Sequence, residues 1–143
     1  MTVFSRRILS TTLLSLAVAW SAGGCGSDED NTGPGGNSAV VGTWNATSFI
    51  AQGNDLIAQG MSLSFTFAAS GDYSFIVIND QGNLCNGVAD CSDGGSYTAS
   101  GTQITLDPGT VDEAILTYTI VGSTMTVTAT IEGTPVSVTF TKQ

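Results

Sequence analysis

From Thr124 to Ile131 the chain alternates without a break, with Met125, Val127, Ala129 and Ile131 set against Thr124, Thr126, Thr128 and Thr130. A two-residue period places successive side chains on opposite faces of an extended strand, and a helix would scatter them around its circumference. The same rhythm sets Val136, Val138 and Phe140 against Ser137, Thr139 and Thr141, and Leu63, Phe65 and Phe67 against Ser62, Ser64 and Thr66. Each such strand has one apolar face to bury and one face rich in Thr and Ser that water can wet. Thr suits a wet strand face, so the Thr rows of the last two strands need no special ice- or water-ordering role.

Eight candidate strands follow, at about 41–50, 61–69, 73–78, 95–99, 102–106, 114–121, 124–131 and 136–141. The fifth points Ile104 and Leu106 inward, and the sixth offers Leu116, Tyr118 and Ile120 to one side. The third is apolar on both faces and does not declare its sides. Turn signals separate the strands: Ser70-Gly71-Asp72, Ser100-Gly101, Gly122-Ser123 and Glu132-Gly133-Thr134. Asp107-Pro108-Gly109-Thr110 suits a type II turn, with Pro setting the first central φ and Gly accepting the positive φ of the second. Residues 39–143 are of the size of one folding unit. Short, evenly spaced strands predict an all-β fold, a single antiparallel up-and-down eight-stranded β-barrel or a sandwich, and the barrel is preferred because closure removes exposed strand edges.

Composition excludes most chemistry. The chain has no His, and after Cys25 its 12 acidic side chains face one basic side chain, Lys142. Ser-His, Cys-His and imidazole–zinc sites are therefore absent. Asp112 and Glu113 are neighbours at the edge of a strand and point to opposite faces, a poor start for acid–base work. No enzyme and no cofactor are expected, and so acidic a chain is repelled by nucleic acid. Asp80, Asn83, Asp90 and Asp93 gather oxygen donors in one loop; they read either as a solvated polar loop, the simpler account, or as a calcium site without EF-hand spacing.

The first 24 residues have the build of a signal peptide: Arg6 and Arg7 as charged start, Ile8 to Trp20 as an apolar run, and Ser21 to Gly24 as a small-residue exit. The run is too short to span a bilayer. Ala22-Gly23-Gly24-Cys25 resembles a bacterial lipobox, which implies cleavage before Cys25 and lipidation of its thiol. That resemblance implies an anchor in the membrane through lipid on Cys25, and two or three acyl chains hold stably. Gly26 after the Cys argues, within the same resemblance, against retention in the inner membrane. The acidic run Ser27-Asp28-Glu29-Asp30 resembles signals that carry lipoproteins to the outer surface. The resemblance thus implies a bacterial envelope protein of the outer membrane. Residues 25–38 otherwise read as a disordered acidic, Gly- and Pro-rich tether. With Cys25 taken by lipid, Cys85 and Cys91 are left of the three Cys, and in an exported protein a remaining pair reads as a disulfide.

Gly42-Thr43-Trp44 resembles the Gly-x-Trp signature that opens the first strand of lipocalins. With Leu63-Ser64-Phe65-Thr66-Phe67 and Gly71-Asp72-Tyr73-Ser74-Phe75, the domain is similar to small bacterial lipocalin-like domains. The resemblance implies a barrel floor of Gly42 and Trp44, covered from the last strand by a cation. Lys142 shares the inward face of Phe140 and either covers Trp44 through a cation–π contact or frays into water. In an eight-stranded barrel the two long connections, 51–60 and 79–94, fall at one rim, which becomes the candidate site. A lipocalin-like module would take a small apolar ligand among Phe65, Phe67, Leu116, Tyr118 and Phe140. The alternative is a structural or protein-interaction module, with an envelope protein as partner, whose barrel is filled by its own side chains.

Overall fold

The structure, a computed structural model, describes residues 38–131 and 133–143, all within the second of two units into which the chain divides, Asn31–Gln143. The signal peptide expected over 1–24, the lipidation of Cys25 and the tether up to Asn37 lie outside the described residues.

The strands are β1 (Gly42–Ala51), β2 (Asn54–Asp55), β3 (Ser62–Phe67), β4 (Asp72–Ile78), β5 (Cys91–Ser100), β6 (Gln103–Leu106), β7 (Ala114–Val121), β8 (Thr124–Ile131) and β9 (Thr134–Lys142). Every pairing is antiparallel, and β1 pairs with both β3 and β9, so that eight strands close into an up-and-down barrel. The two-residue β2 only folds back on the end of β1, pairing Ile50 with Asp55. It was not anticipated, because Asn54 and Asp55 carry no strand propensity.

Alternation sorts the side chains as expected on most strands. Leu63, Phe67, Ile104, Leu106, Tyr118, Met125, Val127, Val136, Val138 and Phe140 all enter the buried core. On β4, whose sides the sequence left open, Tyr73 and Val77 are buried while Ile76 and Ile78 stay about half exposed on the outside. β1 changes parity partway. Its register with β9 shifts between Ala46 and Ser48, a β-bulge that leaves Thr47 unpaired in the ladder and turns Trp44 and Phe49 to the same interior. The Thr47 hydroxyl donates to the Thr139 carbonyl at 3.2 Å across the bulge.

The floor is built around Trp44, which is fully buried and donates its indole N–H to the Val40 carbonyl at 2.7 Å. Lys142 lies opposite it in the β1–β9 register, with Nζ 5.2 Å from the ring centroid, so the last strand covers the ring. Gly42 makes room. Its φ is +134°, and a Cβ there would come within 2.7 Å of Lys142 Cε. At Asp107–Thr110 the Thr110 amide donates to the Asp107 carbonyl at 3.2 Å, and Gly109 takes a φ of +76°, as a type II turn requires.

Candidate functional site

The tight turns after β3, β5 and β7 lie at the Trp44 end of the barrel, and the longer loops 52–61, 79–90 and 107–113 lie at the other. That second rim was expected to be the site, with its loops at the entrance. It is instead largely capped, because the loops carry apolar side chains of their own. Leu56, Met61 and Cys85 are buried in the barrel's core cluster, with Ile57 and Leu84 packed against it. Asp55 ties the first loop down: its carboxylate accepts the Phe49 amide at 3.1 Å, the Ser48 hydroxyl at 2.8 Å and the Ile57 amide at 3.0 Å. The Phe49 amide foremost, then the Ser48 hydroxyl, hold that carboxyl below the usual carboxylate range.

The second loop is closed by the Cys85–Cys91 disulfide. The two loops also hold each other, since the Asn79 side-chain amide donates to the Gly60 carbonyl at 3.1 Å. Leu56 Cδ1 packs so closely on Gly82 that a Cβ there would stand 2.9 Å from it. The residues weighed for calcium serve the backbone of this cap. Asp80 accepts the Gly82 amide at 2.8 Å and the Cys85 amide at 2.7 Å, and Asp90 accepts the Asn79 amide at 2.9 Å. Asn83 supplies a left-handed turn residue at φ +59°, and Asp93 lies beyond the loop on β5. Among the described residues no group of three or more His, Cys, Asp and Glu side chains stands close enough to hold a metal ion.

The pairing of the wall is incomplete in two places. β7 pairs with β8 from Val121↔Thr124 only as far as Thr117↔Thr128. Beyond that point β7 continues on β6 alone, to Leu106↔Ala114, and β8 continues on β9 alone, to Ile131↔Thr134. The strands part there, leaving a cleft of about 630 Å³. Its lining mixes outward residues, among them Ile50, Ile115, Thr117 and Thr128, with inward Ala129 and Val136. Most of the lining is outward-facing, so the cleft is a groove on the outer face of the sheet at the point where β7 leaves β8. A second gap follows from the shortness of β6. β5 pairs with β6 only from Tyr97↔Leu106 onward, so Cys91 to Gly95 have β4 on one side and no strand on the other.

Inside, five residues were expected to line a ligand space, and they divide. Phe67, Tyr118 and Phe140 are buried in packed core, with Phe67 edge-on to Tyr97 at 4.9 Å between centroids. Phe65 and Leu116 point inward yet keep part of their surface accessible. Phe75, not singled out from the sequence, joins them: it is inward by parity with Tyr73 and Val77, half-buried, and stacked on Phe65 at 5.4 Å. Phe75 pairs across the ladder with Asp93, which therefore shares the inner face and is exposed at the unpaired edge of β5. Asp93 was read as loop because β5 was expected to begin only at Gly95, and Phe75 was hidden by the outward Ile76 and Ile78. One step further along β4, the Tyr73 hydroxyl donates to Asp107 at 2.8 Å, across Gly95, whose missing side chain leaves the carboxylate its place. Burial first, then Asp107 and the charges of Asp93 and Asp112, push the Tyr73 hydroxyl well above the usual phenol range. Asp112 lies in the 107–113 loop and not on a strand edge as expected.

A scan of protein-family models and a comparison with curated proteins found no match to this chain. Among solved structures, the fatty-acid-binding protein 1 of Echinococcus granulosus is 11% identical, with a TM-score of 0.45 over 74% of this chain and 98% of that one. A fatty acid binding protein of Schistosoma mansoni, in complex with arachidonic acid, is 11% identical, with a TM-score of 0.44 over 78% and 99%. Likeness at this level carries nothing about ligand to this chain.

Proposed function

We propose that this chain is a lipid-anchored envelope lipoprotein of the bacterial outer membrane, whose barrel takes up a small apolar ligand without catalysing a reaction. The anchor rests on the likeness of Ala22-Gly23-Gly24-Cys25 to a lipobox and on the signal-peptide build of the residues before it. The binding reading rests on one observation: apolar side chains that face the interior, Phe65 and Phe75 on one wall and Leu116 on the opposite one, keep accessible surface in a barrel whose strand pairing is incomplete between β7 and β8. Apolar surface left accessible inside a closed scaffold costs about 25 cal/mol per Å², and a ligand that covers it recovers that energy. The absence of His, the engagement of Asp80 and Asp90 with loop amides, and the bond from Tyr73 to Asp107 leave little for a reaction to use.

Uptake of a neutral dye that brightens in apolar surroundings tests this. The wild-type chain should bind it saturably, and Ala129→Phe, which narrows the inner side of the cleft, should slow uptake while leaving the fold intact. No saturable uptake would favour the competing reading, an interaction module. That reading draws on the half-exposed Ile76 and Ile78 on the outer face of β4 and on the tight packing around Phe67.

A further inference from the structure

Phe65, Phe75 and Asp93 form a row across the inner wall. Phe65 pairs with Phe75 in the β3–β4 register, and Phe75 with Asp93 in the β4–β5 register, so all three side chains leave the sheet on the same side. The two rings stack at 5.4 Å with 29° between their planes, and both keep accessible surface although they point inward. The row ends at the edge of β5 that has no neighbouring strand, so its carboxylate stands where the interior meets water. Asp93 Oδ1 accepts the Gly94 amide at 2.8 Å, and no basic side chain is in the row. The one basic residue among those described, Lys142, is held over Trp44 at the far end of the barrel. Asp107, next along the wall, is already bonded to Tyr73 and the Ser96 amide, so it adds negative field without being free to pair with a ligand.

An aromatic face attracts a cation through its quadrupole, and a carboxylate at the edge of an apolar site attracts it more strongly than in bulk water. The same surroundings repel a carboxylate or sulfate head group. Phe65 is also stacked on Phe67 and Tyr73, so the ring with a face to offer is Phe75, the direct ladder partner of Asp93. We propose that the ligand of this barrel is an organic cation with an apolar body, its ammonium group held at Asp93 against the ring of Phe75. This deepens the binding reading above and rests on it.

Three ligands that share an octyl chain separate the two. The purified full chain is titrated with octyltrimethylammonium, octanol and octyl sulfate, each below its micellar concentration, and followed by NMR at the amides of Phe75 and Asp93. The ammonium should bind about tenfold more tightly than the alcohol, with the sulfate weakest. Asp93→Asn should remove most of that preference and leave octanol binding unchanged. Asp72→Asn, which removes one negative charge equally but lies outward on β4, should leave the preference intact. Phe75→Leu should weaken the ammonium more than the alcohol. If the alcohol binds and the ammonium binds no more tightly than the sulfate, or if Asp93→Asn leaves the preference unaltered, the cation assignment is overturned while the binding reading stands. If none of the three moves those amides, the binding reading falls and takes the assignment with it.

Discussion

Gly42 and Trp44 close one end of the barrel through a contact only a glycine permits. Any side chain at Gly42 meets Lys142 and must also adopt a positive φ, so Gly42→Ala should cost about 1–3 kcal/mol in denaturant unfolding. Trp44→Ala removes the largest fully buried side chain and orphans the Val40 carbonyl; about 3–5 kcal/mol is expected. Asp55 gives the cap its pH dependence. Its folded pKa lies below its unfolded value, so its contribution is complete above the unfolded carboxylate range and is lost as pH falls through the depressed folded value. The protection factors of the Phe49 and Ile57 amides, which donate to this carboxylate, should therefore fall selectively in acid, relative to their intrinsic exchange rates and before the strands open. Tyr73 works in the opposite direction: its raised pKa makes its contribution full below the ordinary phenol range and lost at high alkaline pH. Absorbance titration of Tyr73→Phe should lack a late-ionising phenol that the wild type shows.

At the scale of strands and loops, the disulfide braces the cap. The Cys85–Cys91 bond closes a short ring, so replacing both residues by Ser should cost about 2 kcal/mol and expose the 79–90 loop to proteases before the barrel unfolds. The strands that alternate cleanly, β3, β8 and β9, were legible residue by residue, because a half-buried strand must show its two faces in sequence. β1 was not legible in its second half, since a bulge at Thr47 shifts parity and leaves no compositional mark. β5 was read short for a related reason. Cys91-Ser92-Asp93-Gly94 has the composition of a loop and becomes strand because β4 offers it a complete edge. The length of the 51–60 connection suggested an open rim, yet Leu56 and Met61 are buried within and beside it. Length alone does not say whether a loop hangs free or folds back onto the core.

Over the whole molecule, closure of eight strands followed from their number, rhythm and turns, and the places where closure is incomplete did not. Whether β7 stays with β8 beyond Thr117 depends on twist and on the shortness of β6, which are properties of the assembled sheet. The interior is thus part core and part lining, with Phe67, Tyr118 and Phe140 locked while Phe65, Phe75 and Leu116 stay reachable. The proposed role as a container rests on that division. Native mass spectrometry of the full chain, recovered from the cells that make it with no apolar compound added, tests the point most directly. The account predicts a reproducible non-covalent mass that is released on denaturation. A bare protein mass, together with no uptake of apolar probes, would contradict it and leave a barrel filled by its own side chains.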